Sequence, residues 1–339
     1  MRSWPAGLIV LTLAFSLACG PATQPTVAKS RPSPSASQSP IPGDLPLTSV
    51  SFSCRLPIFN SRDPSAVKNA FISFPARSVT IDSARNGGFF FDRAFSKWLP
   101  VRREAVSPDG THYASVLPDL KQGMSVIQIV DVASGREAAF PIDRAADFGT
   151  RAVIFDYAAE GIYLVQTLDG PIPGMWLFDP STGSIRVVTK VLVQVSGGGG
   201  IFWFGALNSA DPNPVRGRVR VESNQIWRLD LNAGREIIWV DRPGTGLNVI
   251  GIDAHGRPLT RAVHDAINYP DPAAELLLSV EDAKQRSIHK GPIAATLSGG
   301  ITDDHGVWFG SPQGIYLYSD TGGLQKVSDQ PGYPANGCF

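Results

Sequence analysis

The chain has 339 residues, with 30 basic and 30 acidic side chains and a formal net charge of +0 at pH 7. This balance offers no positive surface for nucleic acid, and we exclude the nucleic-acid-binding class. The 34 glycines and 28 prolines interrupt the chain too often for long helices, so we expect an all-β protein.

Residues 1–18 have the layout of an export signal, with one basic residue near the start and an apolar run that ends at Ala18. The run is too short for a stable membrane span, because a spanning helix needs roughly 20 residues. Cys19 follows directly, in an arrangement that resembles a bacterial lipoprotein signal, except that Ser16 stands where leucine is usual. The resemblance implies that Cys19 carries a lipid and becomes the new N-terminus. An ordinary signal peptide is the alternative.

Residues 19–46 are expected to form a flexible tether behind the lipid-anchored cysteine. The part from Gly20 to Pro46 contains seven prolines and no aromatic residue. Such a segment cannot bury enough apolar surface to offset the entropy that ordering would cost. We therefore expect a folded domain that is exported and anchored to the cell membrane as a lipoprotein, facing the extracytoplasmic side. Without lipidation, the segment would be the disordered tail of a secreted protein.

Residues 47–339 are expected to form one β-propeller domain. A strand, a turn with an acidic residue and a second strand recur along the chain, as in "GMWLFDPSTGSIRVV" at residues 174–188. The acidic residues follow one another at intervals of about 40 to 50 residues, the length expected of propeller blades. They are Asp92, Asp131, Asp179, Asp230, Glu281 and Asp320.

A tight turn with glycine lies upstream of most of these acidic residues, as in "SPDG" ending at Gly110 and "DAHG" ending at Gly256. The turn of the first unit is expected near residues 75–78. Each unit then has four antiparallel strands, and six such blades close into a propeller. The sequence leaves open whether a seventh blade completes the ring. Residues 271–284 contain the only plausible helix, but their place in the repeat predicts a strand.

The cysteines predict how the ring is closed. With Cys19 assigned to the lipid, Cys54 and Cys338 remain, at opposite ends of the domain. An exported chain meets an oxidising compartment, where two such thiols usually pair. We predict a disulfide between Cys54 and Cys338 that joins the two ends of the propeller. Two buried free thiols are the alternative.

Two repeats resemble known families. Residues 107–116, "SPDGTHYASV", resemble the repeats of TolB-like propellers. Residues 301–328, "ITDDHGVWFGSPQGIYLYSDTGGLQKVS", are similar to propeller repeats of two-component regulators and of the virginiamycin lyase group. The TolB-like repeat implies a WD-type, six-bladed propeller lipoprotein that binds protein in the cell envelope, whereas the lyase group implies a metal-assisted enzyme. One fold hosts both activities, so the resemblance is specific for architecture only.

Long connections between strands are expected on one face of the propeller, and long loops on a rigid scaffold usually carry binding sites. The two longest connections, residues 208–223 and 264–274, belong to adjacent units and are predicted to form one patch for a polar protein or glycan. Solvated loop charges are the alternative. The candidate binding residues are Asp211, Asn213, Arg216, Arg218, Arg220, His264, Asp265, Asn268, Tyr269 and Asp271.

The sequence shows no assembled catalytic set. It contains neither a zinc-ligand spacing nor a Gly-x-Ser-x-Gly motif, and we expect no cofactor and no resident metal. His255 and His305 occupy equivalent tight turns, where a polar residue is simply tolerated. We therefore expect a monomeric, non-catalytic propeller that binds an envelope or extracellular protein or glycan. The alternative is a metal-dependent lyase or lactone hydrolase at the mouth of the central channel, where ligands from several blades could converge without a local motif.

Overall fold

The structure is a computed structural model, and its described part is almost entirely β. Two short helices are present, the 3-10 helix Arg103–Ala105 and α1 (Pro292–Thr296). The described residues are 43–61, 67–82, 87–119, 124–142, 152–166, 174–189, 194–198, 201–206, 224–231, 233–264, 270–279 and 284–339. The strands are β1 (Cys54–Phe59), β2 (Asn69–Phe74), β3 (Ser78–Asp82), β4 (Phe90–Asp92), β5 (Lys97–Leu99), β6 (His112–Asp119), β7 (Met124–Asp131), β8 (Glu137–Ile142), β9 (Ala152–Ala158), β10 (Gly161–Gln166), β11 (Met175–Phe178), β12 (Ile185–Thr189), β13 (Gln194–Gly198), β14 (Ile201–Ala206), β15 (Gln225–Asp230), β16 (Arg235–Asp241), β17 (Gly246–Ile252), β18 (Pro258–Val263), β19 (Glu275–Ser279), β20 (Gln285–Lys290), β21 (Ser298–Asp303), β22 (Gly306–Ser311), β23 (Gly314–Ser319), β24 (Gly323–Ser328) and β25 (Tyr333–Pro334).

The strands of this described part form seven antiparallel sheets, which we number along the chain. Sheet 1 has the strand order β25-β1-β2-β3, sheet 2 is the hairpin β4-β5, and sheet 3 is β6-β7-β8. Sheets 4 to 7 are four-stranded meanders of consecutive strands: β9 to β12, β13 to β16, β17 to β20 and β21 to β24. A single bridge from Val106 to Tyr113 extends sheet 3 at the free edge of β6.

Clusters of buried apolar residues join each sheet to the next one. One cluster lies between each pair of consecutive sheets from sheet 1 to sheet 7. A further cluster packs Trp308 of sheet 7 against Leu56 and Ile72 of sheet 1. The sheets therefore form a closed ring, which is the β-propeller fold. The prediction of an all-β propeller built from antiparallel sheets is confirmed.

The two ends of the domain meet in sheet 1. Strand β25 pairs with β1, with Tyr333 opposite Phe59. Cys54 and Cys338 form a disulfide bond, and their Cα atoms lie 5.6 Å apart. The Cys338 N–H also donates to the Asp303 carboxylate at 2.7 Å, which ties the bonded end to sheet 7. The same sheet therefore holds the first strand, the last strand and the predicted disulfide.

The composition of the first units differs from the sequence prediction. The turn at residues 75–78 connects β2 and β3 within sheet 1, not strands of the unit that contains Asp92. That unit is reduced to the hairpin β4-β5. In place of six four-stranded units, the described residues contain seven sheets, of which five have four strands. The reason is that β3 pairs with β2 and β2 with β1, while the other neighbour of β1 comes from the far end of the chain, so a local repeat does not reveal the sheet.

The structure explains why acidic residues recur in the repeat. Four of these carboxylates each accept a hydrogen bond from a backbone N–H two or three residues further on, which closes the turn between two strands, whereas Asp320 accepts from the side chains of Arg257 and Tyr318. Ser134 N–H donates to Asp131 at 2.7 Å, and Ser181 N–H donates to Asp179 at 2.8 Å. The same bond is made to Asp92 and Asp230. Glu281, the weakest member of the series, lies outside the described residues.

Two local predictions have different outcomes. The ambiguous segment at residues 271–284 contains strand β19, as predicted from its place in the repeat. Residues 43–46, assigned from the sequence to the tether, contact the folded domain. The Asp44 carboxylate accepts hydrogen bonds from Tyr316 Oη at 2.6 Å and Lys326 Nζ at 2.7 Å, and Leu45 packs on the cluster between sheets 6 and 7. The folded domain therefore includes Asp44.

The first 42 residues lie outside the described part of the chain. The signal peptide at residues 1–18, lipidation of Cys19 and most of the tether therefore stay predictions. No helix among the residues that the structure describes is long and apolar enough to cross a membrane.

Candidate functional site

The predicted recognition patch falls mainly outside the described residues. Its two loops leave from equivalent places in neighbouring sheets: one connects β14 to β15 in sheet 5, and the other connects β18 to β19 in sheet 6. That the loops form a single patch stays a prediction. The residues of the patch that lie outside the described part are Asp211, Asn213, Arg216, Arg218, Arg220, Asp265, Asn268 and Tyr269.

Two members of the predicted patch are described, and one of them has a structural role. Asp271 is only 1% exposed, and its carboxylate accepts backbone hydrogen bonds from His264 at 2.6 Å and Ala273 at 2.8 Å. It therefore fixes the two ends of the loop and does not face a ligand. His264 is exposed, and its Nδ1 lies 3.4 Å from Thr245 Oγ1.

His255 and His305 lie in tight turns of sheets 6 and 7, as predicted, and both contact neighbouring groups. The His255 Nε2 atom lies 3.6 Å from the Asp320 carboxylate. The same carboxylate accepts a hydrogen bond from Arg257 at 2.7 Å, which links the turns of the two sheets. The His305 ring packs on Phe52 with 4.1 Å between ring centroids. These contacts account for both histidines as parts of the turns.

Sheet 2 is the smallest sheet of the described ring. Strands β4 and β5 have three residues each. Strand β4 is placed beside the end of β25, because Phe91 N–H donates to Ala335 O at 3.2 Å. Between β3 and β6 all residues except 83–86 are described, and no further strand of sheet 2 occurs among them. Among the described residues, no strand of sheet 2 therefore lies between the outer parts of sheets 1 and 3.

The uncovered face of sheet 1 is polar. Phe71 packs against Phe91 and Trp98 of sheet 2, so its face of the sheet points toward sheet 2. Side chains two residues apart, or directly opposite across a ladder, share a face. Ser73 therefore lies on this face, and so does Thr80, which is paired with Phe71.

The facing side of sheet 3 is also polar at its outer end. Val130 lies on the side of sheet 2, and Gln128, two residues earlier in β7, shares that face. Gln128 Nε2 donates to the Glu137 carboxylate at 2.6 Å. We call the space between these two faces the notch. It is bordered by Ser73, Ser78 and Thr80 of sheet 1 and by Gln128, Glu137 and Ala139 of sheet 3.

A pocket of about 600 Å³ lies on the sheet 1 side of the hairpin. The Arg55 guanidinium stacks on the Phe71 ring, with 3.6 Å from Cζ to the ring centroid. The Arg93 guanidinium lies 5.2 Å from the centroid of the Phe339 ring. We call this cavity the arginine pocket. It is lined by Arg55, Phe71, Asp82, Phe91, Arg93, Ala94, Ser96 and Phe339.

A second, smaller pocket of about 300 Å³ lies on the other side of the hairpin. Lys97 and Trp98 of β5 line it from sheet 2, and Tyr113 and Val130 line it from sheet 3. The Lys97 ammonium donates to the backbone carbonyl of Val132 at 2.9 Å, so its charge is already used in holding the two sheets together. The short hairpin thus has a cavity on each side.

One carboxylate near the inner strands has an unusual environment. Burial raises the pKa of Asp156, on β9, to about 6, and the nearby Arg103 guanidinium opposes this shift. Glu160 and Glu104 raise the same pKa further through their negative charges. Tyr163 Oη donates to Glu160 at 2.7 Å. A raised pKa suits a general acid, but among the described residues no metal-ligand group surrounds it.

A metal-dependent site at the channel was the enzymatic alternative. Within the described ranges, no group of three or more His, Cys, Asp or Glu side chains is placed to hold a metal ion. The loops that carry Asp211 and Asp265 lie outside those ranges. The lyase or hydrolase alternative therefore gains no support from the described residues.

The sequence contains one indication of the notch. The unit that contains Asp92 has no clear glycine turn upstream of it, unlike the "SPDG" turn that ends at Gly110 in the next unit. This irregularity indicates a defective repeat. It does not indicate a pocket, because Arg55 and Arg93 come together only through the pairing of distant strands.

Comparison with known proteins adds similarity of fold alone. No known protein family and no curated protein matches the chain. The propeller domain of the trilobed protease from Pyrococcus furiosus is 13% identical over 85% of this chain and 84% of its own, with a TM-score of 0.47. TolB from Acinetobacter baumannii is 12% identical over 83% of this chain and 65% of its own, with a TM-score of 0.46. At such low identity these proteins give no indication of what the chain binds.

Proposed function

We propose that the chain is a non-catalytic binding propeller, exported and held at a membrane by a lipid on Cys19. Its recognition surface is the notch beside sheet 2, and its partner is an envelope or extracellular protein or glycan. The protein acts as a monomer. This function agrees with the role that the TolB-like resemblance of residues 107–116 implies.

The observation that carries the proposal is the reduction of sheet 2 to a hairpin of three-residue strands. Every other sheet of the described ring has at least three strands. The faces left uncovered carry exposed polar side chains, including Ser78, Thr80 and Glu137. A polar surface next to two pockets is a typical place for a partner on a rigid scaffold.

Two further features support the compartment. The disulfide between Cys54 and Cys338 is typical of a chain that folds in an oxidising compartment. Residues 20–42 are rich in proline and polar residues, which suits a spacer between an anchor and a folded domain. The predicted patch of the loops at residues 208–223 and 264–274 is kept as a second recognition surface, to be tested separately.

Site-specific crosslinking tests the notch. A photo-crosslinking amino acid is placed at Thr80 or at Ala139, one on each side of the notch, in the full-length protein expressed in its own cells. Matched controls carry it at Val187 or Ile238, which are 47% and 50% exposed on outer strands of complete sheets. We expect one adduct of the same mass from both notch positions and none from the controls. Equal adducts at all four positions, or none at the notch, would contradict the proposal.

Fractionation tests the anchor. The Cys19→Ser variant should move from the membrane fraction to the soluble extracytoplasmic fraction, because the lipid would no longer be attached. The Cys54→Ser variant serves as a control that removes a cysteine outside the signal and should keep the membrane location of its folded fraction. Unchanged partition of Cys19→Ser would show that the lipid anchor does not exist.

A further inference from the structure

We propose that Asn336 is a site of spontaneous deamidation, in which the backbone nitrogen of Gly337 attacks the side-chain amide and ammonia leaves. The resulting carboxylate loosens the hairpin β4-β5 from residues 333–339, which we call the closing segment. The inference does not depend on the proposed binding function. It assigns a modification site at the closure of the propeller, with water as the co-reactant.

The Asn336 side chain is held against the backbone of the next residue. The Gly337 N–H donates to Asn336 Oδ1 at 2.7 Å, and Cγ, the carbon that is attacked, is bonded to that oxygen. The other end of the amide is also fixed, because Asn336 Nδ2 donates to the Phe91 carbonyl at 2.9 Å. A reaction within one molecule is fastest when the two reacting atoms are held about 3 to 3.5 Å apart. The fold therefore keeps the Gly337 nitrogen beside the carbon that it attacks.

Glycine at position 337 removes the steric barrier to this attack, and the packing requires glycine there. A Cβ atom at Gly337 would lie 2.9 Å from Asp303 Cβ and 3.1 Å from Asp303 Oδ2. Asp303 has no room to retreat, because its carboxylate accepts hydrogen bonds from Cys338 N–H and Trp308 Nε1, both at 2.7 Å. An asparagine closes the cyclic imide most readily when the next residue has no side chain to hinder the approach. The packing that excludes a larger residue therefore keeps Asn336 susceptible.

The reaction balances with water alone. The Gly337 nitrogen forms a bond to Asn336 Cγ and gives up its proton, the Cγ–Nδ2 bond breaks, and Nδ2 leaves with that proton as ammonia. Water then opens the cyclic imide at one of its two carbonyl carbons, which gives aspartate or isoaspartate. Asn336 is half-buried, so water reaches it. Hydroxide removes the backbone proton, so the rate should rise with pH above neutrality.

The product weakens the attachment of sheet 2. Both backbone groups of Phe91 bond to the closing segment: its N–H donates to Ala335 O at 3.2 Å, and its carbonyl accepts from Asn336 Nδ2 at 2.9 Å. Aspartate has no N–H donor, so the second bond is lost and two oxygen acceptors face each other. Isoaspartate also lengthens the main chain before Cys338 by one methylene. Either product should loosen the smallest sheet of the described ring.

A second asparagine shows what the susceptible arrangement requires. Asn69 also uses both ends of its amide, but both bonds go to the Gly88 backbone, at 2.7 and 2.9 Å, and the next residue is Ala70. Its amide is therefore not placed against its own successor. Within the described ranges, Asn336 is the one asparagine that is followed by glycine. Asn86 is also followed by glycine but lies outside those ranges.

Mass spectrometry of the purified, disulfide-bonded protein tests the site. The protein is incubated at mildly alkaline pH, then reduced and cleaved with trypsin, which separates residues 327–339, 86–93 and 69–77 into three peptides. We expect residues 327–339 to gain about 1 Da, because NH2 is replaced by OH, and to contain isoaspartate. The peptide with Asn69 should keep its mass. The free peptide PANGCF is the reference, and the folded protein should react at least as fast, because the reacting atoms are already in place.

Amide hydrogen exchange tests the consequence. Asn336→Asp, which reproduces one product, should speed the exchange of the Phe91 N–H about tenfold, because the loss of one hydrogen bond favours local opening. Asn60→Asp is the matched control, since Asn60 is exposed and its Oδ1 accepts from Lys68 N–H, a bond that a carboxylate keeps. It should exchange as wild type does. Asn336→Gln, whose longer side chain closes an imide far more slowly, should end the mass gain of residues 327–339.

The inference is overturned if residues 327–339 keep their mass, or gain it more than about tenfold more slowly than the free peptide, because the fold would then protect Asn336. A mass gain confined to residues 86–93 would assign the reaction to the other Asn-Gly pair and would also overturn it. So would Phe91 exchange in Asn336→Asp that equals exchange in Asn60→Asp. None of these results decides the crosslinking test of the notch, which does not involve Asn336.

Discussion

Sheet 7 and sheet 2 belong to the same ring but differ in what they contribute. Sheet 7 has four strands of six residues, and Trp308, Phe309 and Tyr316 within it have no exposed surface. The clusters on its two sides contain twelve and ten buried residues, whereas those on the two sides of sheet 2 contain five and four. Apolar burial is the main stabilising contribution in a fold, so the ring is held together unevenly.

The difference indicates that the two sheets have different roles. Sheet 7 and its neighbours close the ring, through the disulfide and through packing against sheet 1. Sheet 2 leaves polar faces and two cavities open, and Arg55 and Arg93 line one of these cavities. A binding surface tolerates such features because the remaining sheets supply the stability. Five variants test this comparison.

Removal of the disulfide should have the largest effect. The bond between Cys54 and Cys338 closes a loop with a sequence separation of 284. The double variant Cys54→Ser/Cys338→Ser should lower the free energy of unfolding by about 3 to 5 kcal/mol, because the unfolded chain gains entropy. Urea unfolding of the purified domain measures this change.

Reduced wild-type protein is the control for the double variant, and it should unfold at the same urea concentration. A loss below about 1 kcal/mol for the variant would break the comparison, because the closure at sheet 1 would then not be a main source of stability.

Two tryptophans compare the sheets directly. Trp308 has no exposed surface, and its Nε1 donates to Asp303 at 2.7 Å. Trp308→Ala should cost about 4 kcal/mol of unfolding free energy, the usual value for a fully buried large side chain. Trp98→Ala in sheet 2 should cost about 2 kcal/mol, because the side chain lines the smaller pocket and is less tightly enclosed than Trp308. Thermal and urea unfolding of both variants, side by side, measure the difference; equal losses would show that sheet 2 is as tightly packed as sheet 7.

Much of the fold could be predicted from the sequence because its signals are local. The carboxylates of Asp131 and Asp179 bond to backbone groups within three residues, so the repeat is visible in a short window. The disulfide could be predicted from the compartment and from the small number of cysteines. The composition of sheet 1 could not, because β1 pairs with β25 across almost the whole domain and β25 has only two residues. No periodicity marks so short a strand.

The candidate site could be predicted only in part. Loop length predicted a binding patch at residues 208–223 and 264–274. Within that patch Asp271 is a buried residue that holds the ends of its loop. The arginine pocket gave no sequence signal, because Arg55 follows a cysteine in one sheet and Arg93 follows a turn aspartate in another. Arg55 and Arg93 line one cavity because sheet 2 has only two strands among the described residues. An absence of strands is harder to recognise in a sequence than their presence.

Asp156 lies on β9 in sheet 4, next to sheet 3. A variant at this position tests whether a buried carboxylate in this part of the ring lowers stability. Burial raises its pKa to about 6, above that of the unfolded chain. The folded state therefore binds its proton more tightly, and stability should fall as the pH rises from about 4 to 6 and then level off. Asp156→Asn should abolish this fall and stabilise the domain at pH 7 by about 2 kcal/mol. Unfolding as a function of pH measures this, with exposed Asp304→Asn as the control; a parallel fall in both variants would contradict it.

Asp109, in the turn that leads into sheet 3, should show the opposite pH dependence and the smallest effect. Hydrogen bonds from the Ser107 hydroxyl, at 2.6 Å, and from the Thr111 backbone and hydroxyl lower its pKa to about 2. The stability that this carboxylate contributes is therefore complete above the unfolded pKa near 4 and is lost as the pH falls toward 2. Because the group is exposed, solvent screens it, and Asp109→Asn should cost only roughly 0.5 to 1 kcal/mol at pH 7. In acid unfolding curves, the difference in unfolding free energy between Asp109→Asn and wild type should vanish near pH 2. A difference that stays constant down to that pH would show that the effect comes from the shape of the turn and not from its charge.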